Sequence, residues 1–335
     1  MKARLDMNKS APWCSASRRL SLPCSTVLSR RFHVVMGKGG VGKSTVAMTL
    51  GLHFAQSGLR TLICEVDDRE MMTYAFQVPA SHSEVRSLQK NLSVVSIDTQ
   101  SALSEYGVLK LKVKALSSLL TENPLTRALI SIVPGVADLI ALGKAFNHER
   151  QPHPTLSGVF KWDRIIVDAP STGHGLTFLR LPQVIREVVP SGNMRREADD
   201  MWSLIANPDR SSVHVVSTPE ELPIQEAKEL WCTLENELKL TPQALWCNKV
   251  NISPFTEKEW REVSLKLEEG ESSQWLSRLL RGRQSMGEGQ LSHLSKLDVI
   301  KGTRAYLPQF PLQDPVTLKE TIVYALEALR ESSKV

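Results

Sequence analysis

At residues 37–45 the chain reads Gly37-Lys38-Gly39-Gly40-Val41-Gly42-Lys43-Ser44-Thr45, which matches the phosphate-binding pattern G-x-x-x-x-G-K-[S/T]. An apolar, β-branched run precedes it at residues 32–36, and apolar residues at helical spacing follow it at residues 46–56. The motif requires a strand, a glycine-rich loop and a helix in this order. The stretch therefore predicts an α/β fold, with the doubly wound, mostly parallel sheet of P-loop NTPases.

The composition of this loop has a physical reason. Backbone N–H groups at the start of a helix can surround phosphate oxygens only where no side chain intervenes, which favours the four glycines of the stretch. The pattern places Lys43 at the β- and γ-phosphates and the hydroxyl of Ser44 on Mg²⁺. We therefore expect ATP and Mg²⁺ as cofactors, with residues 37–45 binding the nucleotide.

The charge of the chain is concentrated near its start. The formal net charge is +5 over 335 residues, yet residues 1–31 hold seven basic residues against one acid, so the remainder carries −1. This balance gives no reason to expect nucleic acid as a partner. We predict a P-loop ATPase domain at residues 32–332. We expect residues 1–31 to be an extension, and three explanations for it stay open. It is an organelle transit peptide, a disordered tail, or a product of translation from a start codon upstream of the true one.

The rest of the composition indicates a chain without stable membrane insertion. No apolar run approaches the ~18 residues that a membrane-spanning helix needs. The five cysteines form no C-x-x-C pair, which is typical of a reducing compartment and offers no zinc or redox motif. We expect a cytoplasmic protein, or an organellar one in a mitochondrion or plastid if residues 1–31 are a transit peptide.

Three polar residues end or directly follow apolar, strand-like runs: Asp67, Asp168 and Asn248. In open α/β sheets the carboxyl ends of the strands carry the groups that bind ligands. We therefore expect Asp67 to orient the attacking water, Asp168 to hold Mg²⁺ through water, and Asn248 to hydrogen-bond the purine edge. Two alternatives stay open: Asp67 as a strand-end or helix-capping residue, and Asn248 as a residue that closes a turn.

Helical spacing dominates two stretches between the strands, at about residues 104–150 and 176–207. They predict a helical subdomain inserted between strands of the sheet. Their wide apolar stripes have two explanations that sequence cannot separate. They are either core, or part of a groove for an apolar client helix.

Three segments resemble those of known families. The form G-K-G-G-V-G-K-S, with Lys38 after the first glycine, resembles the loop of MinD and ParA proteins, nitrogenase iron proteins, and the arsenical-pump and tail-anchored-protein-targeting ATPases. Leu62 to Phe76 aligns without a gap on the segment of the arsenical-pump family that begins its first switch, with Asp67 at the aspartate position. The second switch of that family, which contains Thr-Gly-His, resembles residues 168–174.

The chain is thus identified by resemblance, over residues 32–330, as a member of the arsenical-pump and tail-anchored-protein-targeting ATPase family. The resemblance implies an ATP-hydrolysing homodimeric switch, in which Lys38 reaches the nucleotide of the facing subunit. Catalysis would rest on Lys38, Lys43 and Asp67, and conformational switching on Gly173 and His174. The client would be an apolar helix of a membrane protein, with a small anion or a folded partner also open.

Two alternative functions stay open, and one motif of the family is missing from this sequence. A MinD/ParA-like positioning ATPase and an ATP-binding scaffold without turnover are the alternatives. Residues 251–300 contain no cysteine, although the eukaryotic targeting members carry a zinc-binding C-x-x-C there at the dimer interface. The dimer therefore either needs no metal or uses a different interface.

Overall fold

A computed structural model describes residues 20–66, 70–97, 136–170, 172–188, 190–251, 257–268, 274–310 and 314–332. Asp67 lies outside these residues, as does the part of the predicted helical subdomain before residue 136.

One eight-stranded sheet organises the chain, with the strands in the order β3-β4-β2-β5-β1-β6-β7-β8. Every neighbouring pair is parallel except β3 and β4, which are antiparallel. The chain first builds one side of β1, returns to it with β5, and then builds the other side from β6 onward. Such a reversal next to β1 opens a crevice at the carboxyl ends of the strands, where ligands bind in α/β folds. The strands are β1 (Phe32–Gly37), β2 (Thr61–Val66), β3 (Arg86–Gln89), β4 (Leu92–Ile97), β5 (Arg164–Asp168), β6 (Ser211–Ser217), β7 (Ala244–Val250) and β8 (Thr303–Pro308).

The sheet confirms the predicted fold class. Buried, apolar runs form its central strands, and β1 and β2 are buried along their whole length. The two edge strands, β3 and β8, were not predicted from the sequence. Their residues Arg-Ser-Leu-Gln and Thr-Arg-Ala-Tyr-Leu-Pro alternate only partly between buried and accessible positions. An edge strand is held by one neighbour, so its local pattern is weaker than that of a central strand.

Helices cover both faces of the sheet, each with its own apolar core. One core joins α2 and α10 to the sheet, and the other joins α4, α5, α6 and α7 to the opposite face. No helix in the described ranges has the length and apolar character needed to cross a membrane. The helices are α1 (Ser25–Leu28), α2 (Lys43–Gln56), α3 (Met71–Ala75), α4 (Val136–Arg150), α5 (Thr172–Val188), α6 (Asn193–Ile205), α7 (Glu221–Asn236), α8 (Glu257–Glu268), α9 (Gln274–Ser295) and α10 (Pro315–Ser332).

The glycine of Arg281-Gly282-Arg283 predicts a break in the helical pattern. This prediction is wrong, because helix α9 runs through Gly282 from Gln274 to Ser295. A glycine inside a helix costs only about 1 kcal/mol relative to alanine. The buried Leu294 anchors the carboxyl end of α9 in the core, so tertiary packing outweighs this cost.

The packed chain begins earlier than residue 32. Leu20 and Val27 are buried, and Ser21 forms an antiparallel bridge with Tyr306 on β8. Arg31 pairs with the buried Glu149 at 2.9 Å. Residues 20–31, which the sequence analysis assigned to the extension, therefore pack against the domain predicted at residues 32–332.

Candidate functional site

The glycine-rich loop connects the buried strand β1 to helix α2 at the centre of the sheet. Gly40 and Gly42 have φ angles of +84° and +92°, a left-handed conformation that glycine adopts without strain. A Cβ atom on Gly42 would lie 2.0 Å from Nδ2 of Asn248. This close approach explains why a residue without a side chain occupies the position directly before α2.

A cavity of about 170 Å³ lies where the loop meets the carboxyl ends of β2 and β5. It brings Lys43 and Ser44 of the loop together with Asp168, a predicted site residue that is far from them in sequence. Helix α2 begins at Lys43, a residue of the cavity lining, so its N-terminus adjoins this space, and a helix N-terminus favours anions. The lining consists of Gly40, Gly42, Lys43, Ser44, Thr45, Glu65, Val66, Met71, Asp168 and Ala169.

The rest of the predicted loop surrounds this cavity without lining it. Gly37 ends β1, and Val41 is buried in the core beneath the loop. Lys38 and Gly39 are exposed. The loop therefore divides into a buried anchor and a surface that faces solvent.

Three lysines brace the loop. Nζ of Lys43 donates to the carbonyl oxygen of Lys38 at 3.3 Å, and Nζ of Lys249 donates to the carbonyl oxygen of Gly40 at 3.0 Å. Nζ of Lys38 lies 2.8 Å from Oε1 of Glu226 on α7. The resemblance implies that Lys38 reaches the nucleotide of a facing subunit. In this structure Lys38 contacts a carboxylate of its own chain.

Asp168 ends β5 and is 6% exposed. In the sheet it lies beside Val35 of β1 and Glu65 of β2. Strand pairing therefore delivers its carboxylate to the cavity, next to the loop that β1 carries. Its position is the one predicted for a carboxylate that holds Mg²⁺.

Glu65 was not predicted as a site residue. It is 3% exposed and lines the cavity, and its Oε1 accepts a hydrogen bond from the backbone N–H of Met72 at 3.1 Å. Burial, with Asp168 nearby, raises the pKa of Glu65 to about 8. One signal could have found it, because a carboxylate inside the apolar run Ile63-Cys64-Glu65-Val66 is costly to bury without a purpose.

Asn248 lies in β7 and is buried. Its Nδ2 donates to the carbonyl oxygen of Val41 at 2.8 Å. The amide thus holds the glycine-rich loop against the sheet, which the sequence did not predict. Its contact with a purine stays a prediction.

The remaining predicted residues belong to the two switch segments. Gly173 and His174 lie in the first turn of α5, which begins at Thr172, four residues after Asp168. Asp67 follows β2 directly in sequence and lies outside the described residues. The roles of all three stay predictions.

The cavity fits the phosphates of a nucleotide with Mg²⁺. The backbone at Gly42 leaves no room for a side chain, and Lys43 and the N-terminus of α2 adjoin the space. The hydroxyl of Ser44 and the carboxylate of Asp168 provide oxygen atoms, which are the ligands that Mg²⁺ prefers. Ser44 and Asp168 are the residues that would hold the ion.

Comparisons with known proteins find similar ATPases. A family model described as anion-transporting ATPase matches residues 30–201. ATPase BagA of Mycobacterium tuberculosis is 27% identical over 204 residues, which cover 59% of this chain and 59% of BagA. ATPase ASNA1 homolog 1 of Paramecium tetraurelia is 30% identical over 158 residues, which cover 46% of this chain and 44% of that protein. ATPase ARSA1 of Chlamydomonas reinhardtii is 28% identical over 176 residues, 47% of this chain and 22% of that protein.

The matched segments thus span less than two thirds of each of these relatives. The family model, by contrast, covers more than half of this chain and includes the glycine-rich loop, β5 and the start of α5. The chain belongs to the anion-transporting ATPase family.

Proposed function

We propose that the chain is an ATP-hydrolysing switch that closes as a homodimer and couples closure to the binding or delivery of a client. The observation that carries this proposal is the cavity in which Lys43, Ser44 and Asp168 meet at the N-terminus of α2. Phosphoryl transfer demands mainly positioning and charge stabilisation, and these groups supply both.

Each residue has a defined task in this function. Lys43 and the loop N–H groups hold the β- and γ-phosphates, while Ser44 and Asp168 hold Mg²⁺. The ion, when bound, neutralises charge on the phosphate oxygens. Asp67 orients water in line with the γ-phosphate, and Lys38 of the facing subunit stabilises negative charge that develops during the transfer.

Turnover and its dependence on two lysines test the enzymatic part. Purified protein should release phosphate from ATP only with Mg²⁺, and Lys43→Ala should abolish this release. Lys38→Ala should keep the monomer folded and able to bind ATP, but lose ATP-driven dimerisation and turnover. Unchanged turnover in Lys38→Ala would overturn the dimeric switch.

The client is the second part of the proposal, and we assign it as an apolar helix of a membrane protein. The support is the wide apolar stripes of the predicted helical subdomain, which would be partly exposed when the dimer closes. Asp67→Asn should trap ATP and the closed state. Co-expression with a small protein that carries one C-terminal apolar helix, followed by size-exclusion chromatography with Mg²⁺-ATP, tests this assignment.

Co-migration of that helix with the Asp67→Asn dimer would support the assignment, provided that the Asp67→Asn/Lys38→Ala double variant no longer shows this co-migration. A dimer that migrates without the helix would contradict the client assignment. The switch itself would stand in that case, and the search would turn to small anions and folded partners.

A further inference from the structure

Among the described residues that line the cavity, Glu65 is the one acidic side chain that the tasks assigned above do not use. It faces the same space as Lys43, Ser44 and Asp168. In the sheet it is the register partner of Asp168, so two carboxyl groups from neighbouring strands are directed to one end of the site.

The hydrogen bonds of Glu65 leave half of its carboxyl group unused. Oε1 accepts from the N–H of Met72 at the start of α3, which fixes the orientation of the group. Oε2 is buried and has no hydrogen-bond partner among the described residues. A buried oxygen without a partner costs about 1–3 kcal/mol, so its presence beside a binding cavity indicates that a bound species completes its shell.

The charge of the cavity identifies that species. Two buried carboxyl groups side by side disfavour each other's ionised form, and a phosphate chain adds further negative charge. A divalent cation offsets the negative charge of both carboxylates and of the phosphates. Its bound waters also present O–H donors to carboxylate oxygens that do not coordinate the ion directly. Such outer contacts with metal-bound water strengthen metal binding by about 10–100-fold.

We propose that Glu65 is a further binding residue of the nucleotide site, which accepts a hydrogen bond from Mg²⁺-bound water at Oε2 and so makes nucleotide affinity dependent on Mg²⁺. This inference rests on the proposed function, because it requires that the cavity binds a nucleotide with the metal. Glu65 would act on the metal's water and not on the reacting phosphorus.

Glu65→Gln tests the proposal, because the amide oxygen still accepts from Met72 while the side chain can no longer become the carboxylate that a bound cation favours. Affinity for a fluorescent ATP analogue should be measured with Mg²⁺ and with a chelator, for the unchanged protein and the variant. We expect Mg²⁺ to tighten binding less in Glu65→Gln, by about tenfold, with metal-free affinity equal or higher.

Glu70→Gln is the matched control. Glu70 lies in the same segment, but its carboxylate accepts from the N–H groups of Ser81 and His82 at 2.9 Å and does not line the cavity. This variant should keep the Mg²⁺ dependence of the unchanged protein. The same loss in Glu70→Gln would overturn the proposal, because it would show a general effect on α3.

Equal weakening of Glu65→Gln with and without Mg²⁺, or no change in either, would also overturn the proposal. If Glu65→Gln fails to fold, Glu65→Asp replaces it, because it keeps the charge but withdraws the oxygens by one methylene. The Mg²⁺ concentration for half-maximal binding should then rise several-fold, and an unchanged value would contradict the role. Absence of nucleotide binding by the unchanged protein would instead refute the proposed function itself.

Discussion

Lys38 and Glu226 form an ion pair within one chain, with 2.8 Å between Nζ and Oε1. The lysine side chain is 54% exposed and the glutamate side chain 23% exposed, so water screens the pair in part. A pair of this kind stabilises by about 0–1 kcal/mol, which is weak enough to break when a stronger partner arrives. In the proposed switch, that partner is the nucleotide of the facing subunit.

Release of Lys38 should therefore favour dimerisation. We predict that Glu226→Gln tightens ATP-dependent dimerisation about two- to fivefold, because the lysine no longer gives up an intrachain pair of up to about 1 kcal/mol. Analytical ultracentrifugation with a slowly hydrolysed ATP analogue measures this constant. Glu229→Gln is the control, since Glu229 lies on the same helix and contacts Gln225 instead. Weaker dimerisation in Glu226→Gln would show that Glu226 serves the interface directly.

The glycine before α2 allows a test of the loop geometry. Gly42→Ala should lower nucleotide affinity at least about tenfold, because the methyl group meets Asn248 and the left-handed conformation disfavours alanine by about 1 kcal/mol or more. Isothermal titration calorimetry checks the affinity. Gly58→Ala is the control, because Gly58 has a φ of +84° but open space around it. It should lose stability and keep nucleotide affinity, whereas a loss of affinity in both variants would contradict the steric explanation.

Much of this site could be predicted from local patterns. The glycine-rich loop is continuous in sequence, and Asp168 ends an apolar run that reads as a strand on its own. Glu65 shares the cavity only because β2 pairs with β5 in a register that aligns it with Asp168. Strand order and register arise from contacts between distant residues, so no local pattern reports them.

Asn248 is a second residue whose contacts local sequence patterns do not predict. Its place in a strand was predictable, although β7 continues past it to Val250, but its hydrogen bond to Val41 depends on how closely β7 approaches the loop. The edge strand β8 and the continuous helix α9 were missed because packing decides them, and their local propensities are weak or contrary.

The buried carboxylate of Glu149 leads to a prediction about the stability of the fold. Glu149 is 2% exposed and pairs with Arg31 at 2.9 Å and Arg210 at 3.0 Å. Glu149→Gln should lower the free energy of unfolding by about 3 kcal/mol, because both arginines lose a buried counter-charge. Urea denaturation measures this change. Asp200→Asn removes the exposed partner of Arg150 and should cost less than about 1 kcal/mol, and equal costs for the two variants would contradict the assigned burial effect.

Two buried histidines connect the central strands by hydrogen bonds. Nε1 of Trp246 donates to Nδ1 of His214 at 3.1 Å, and Nε2 of His214 lies 2.9 Å from Nδ1 of His33. Nε2 of His33 lies 2.8 Å from the carbonyl oxygen of Arg30, so both rings are satisfied as neutral imidazoles. An added proton on Nδ1 of His214 would face the Trp246 donor. Burial lowers the pKa of His214 to about 3, and burial with His214 nearby holds that of His33 well below its usual value.

This arrangement should make the protein lose stability in mild acid. Since both folded pKa values lie below the unfolded value of about 6.5, the unfolded chain binds more protons below that pH. The stabilisation is complete above about pH 6.5 and falls as the pH is lowered toward the folded values. The two histidines together contribute a loss of about 4 kcal/mol between about pH 7.5 and about pH 5. Glu65 offsets part of this loss, because its pKa is raised to about 8 and the folded chain takes up its proton in this range.

Denaturant unfolding at a series of pH values measures that slope. His214→Gln should remove about half of the histidine contribution to the slope, because one of the two titrating histidines is gone. An unchanged slope in His214→Gln would assign the acid sensitivity to groups outside this chain of hydrogen bonds.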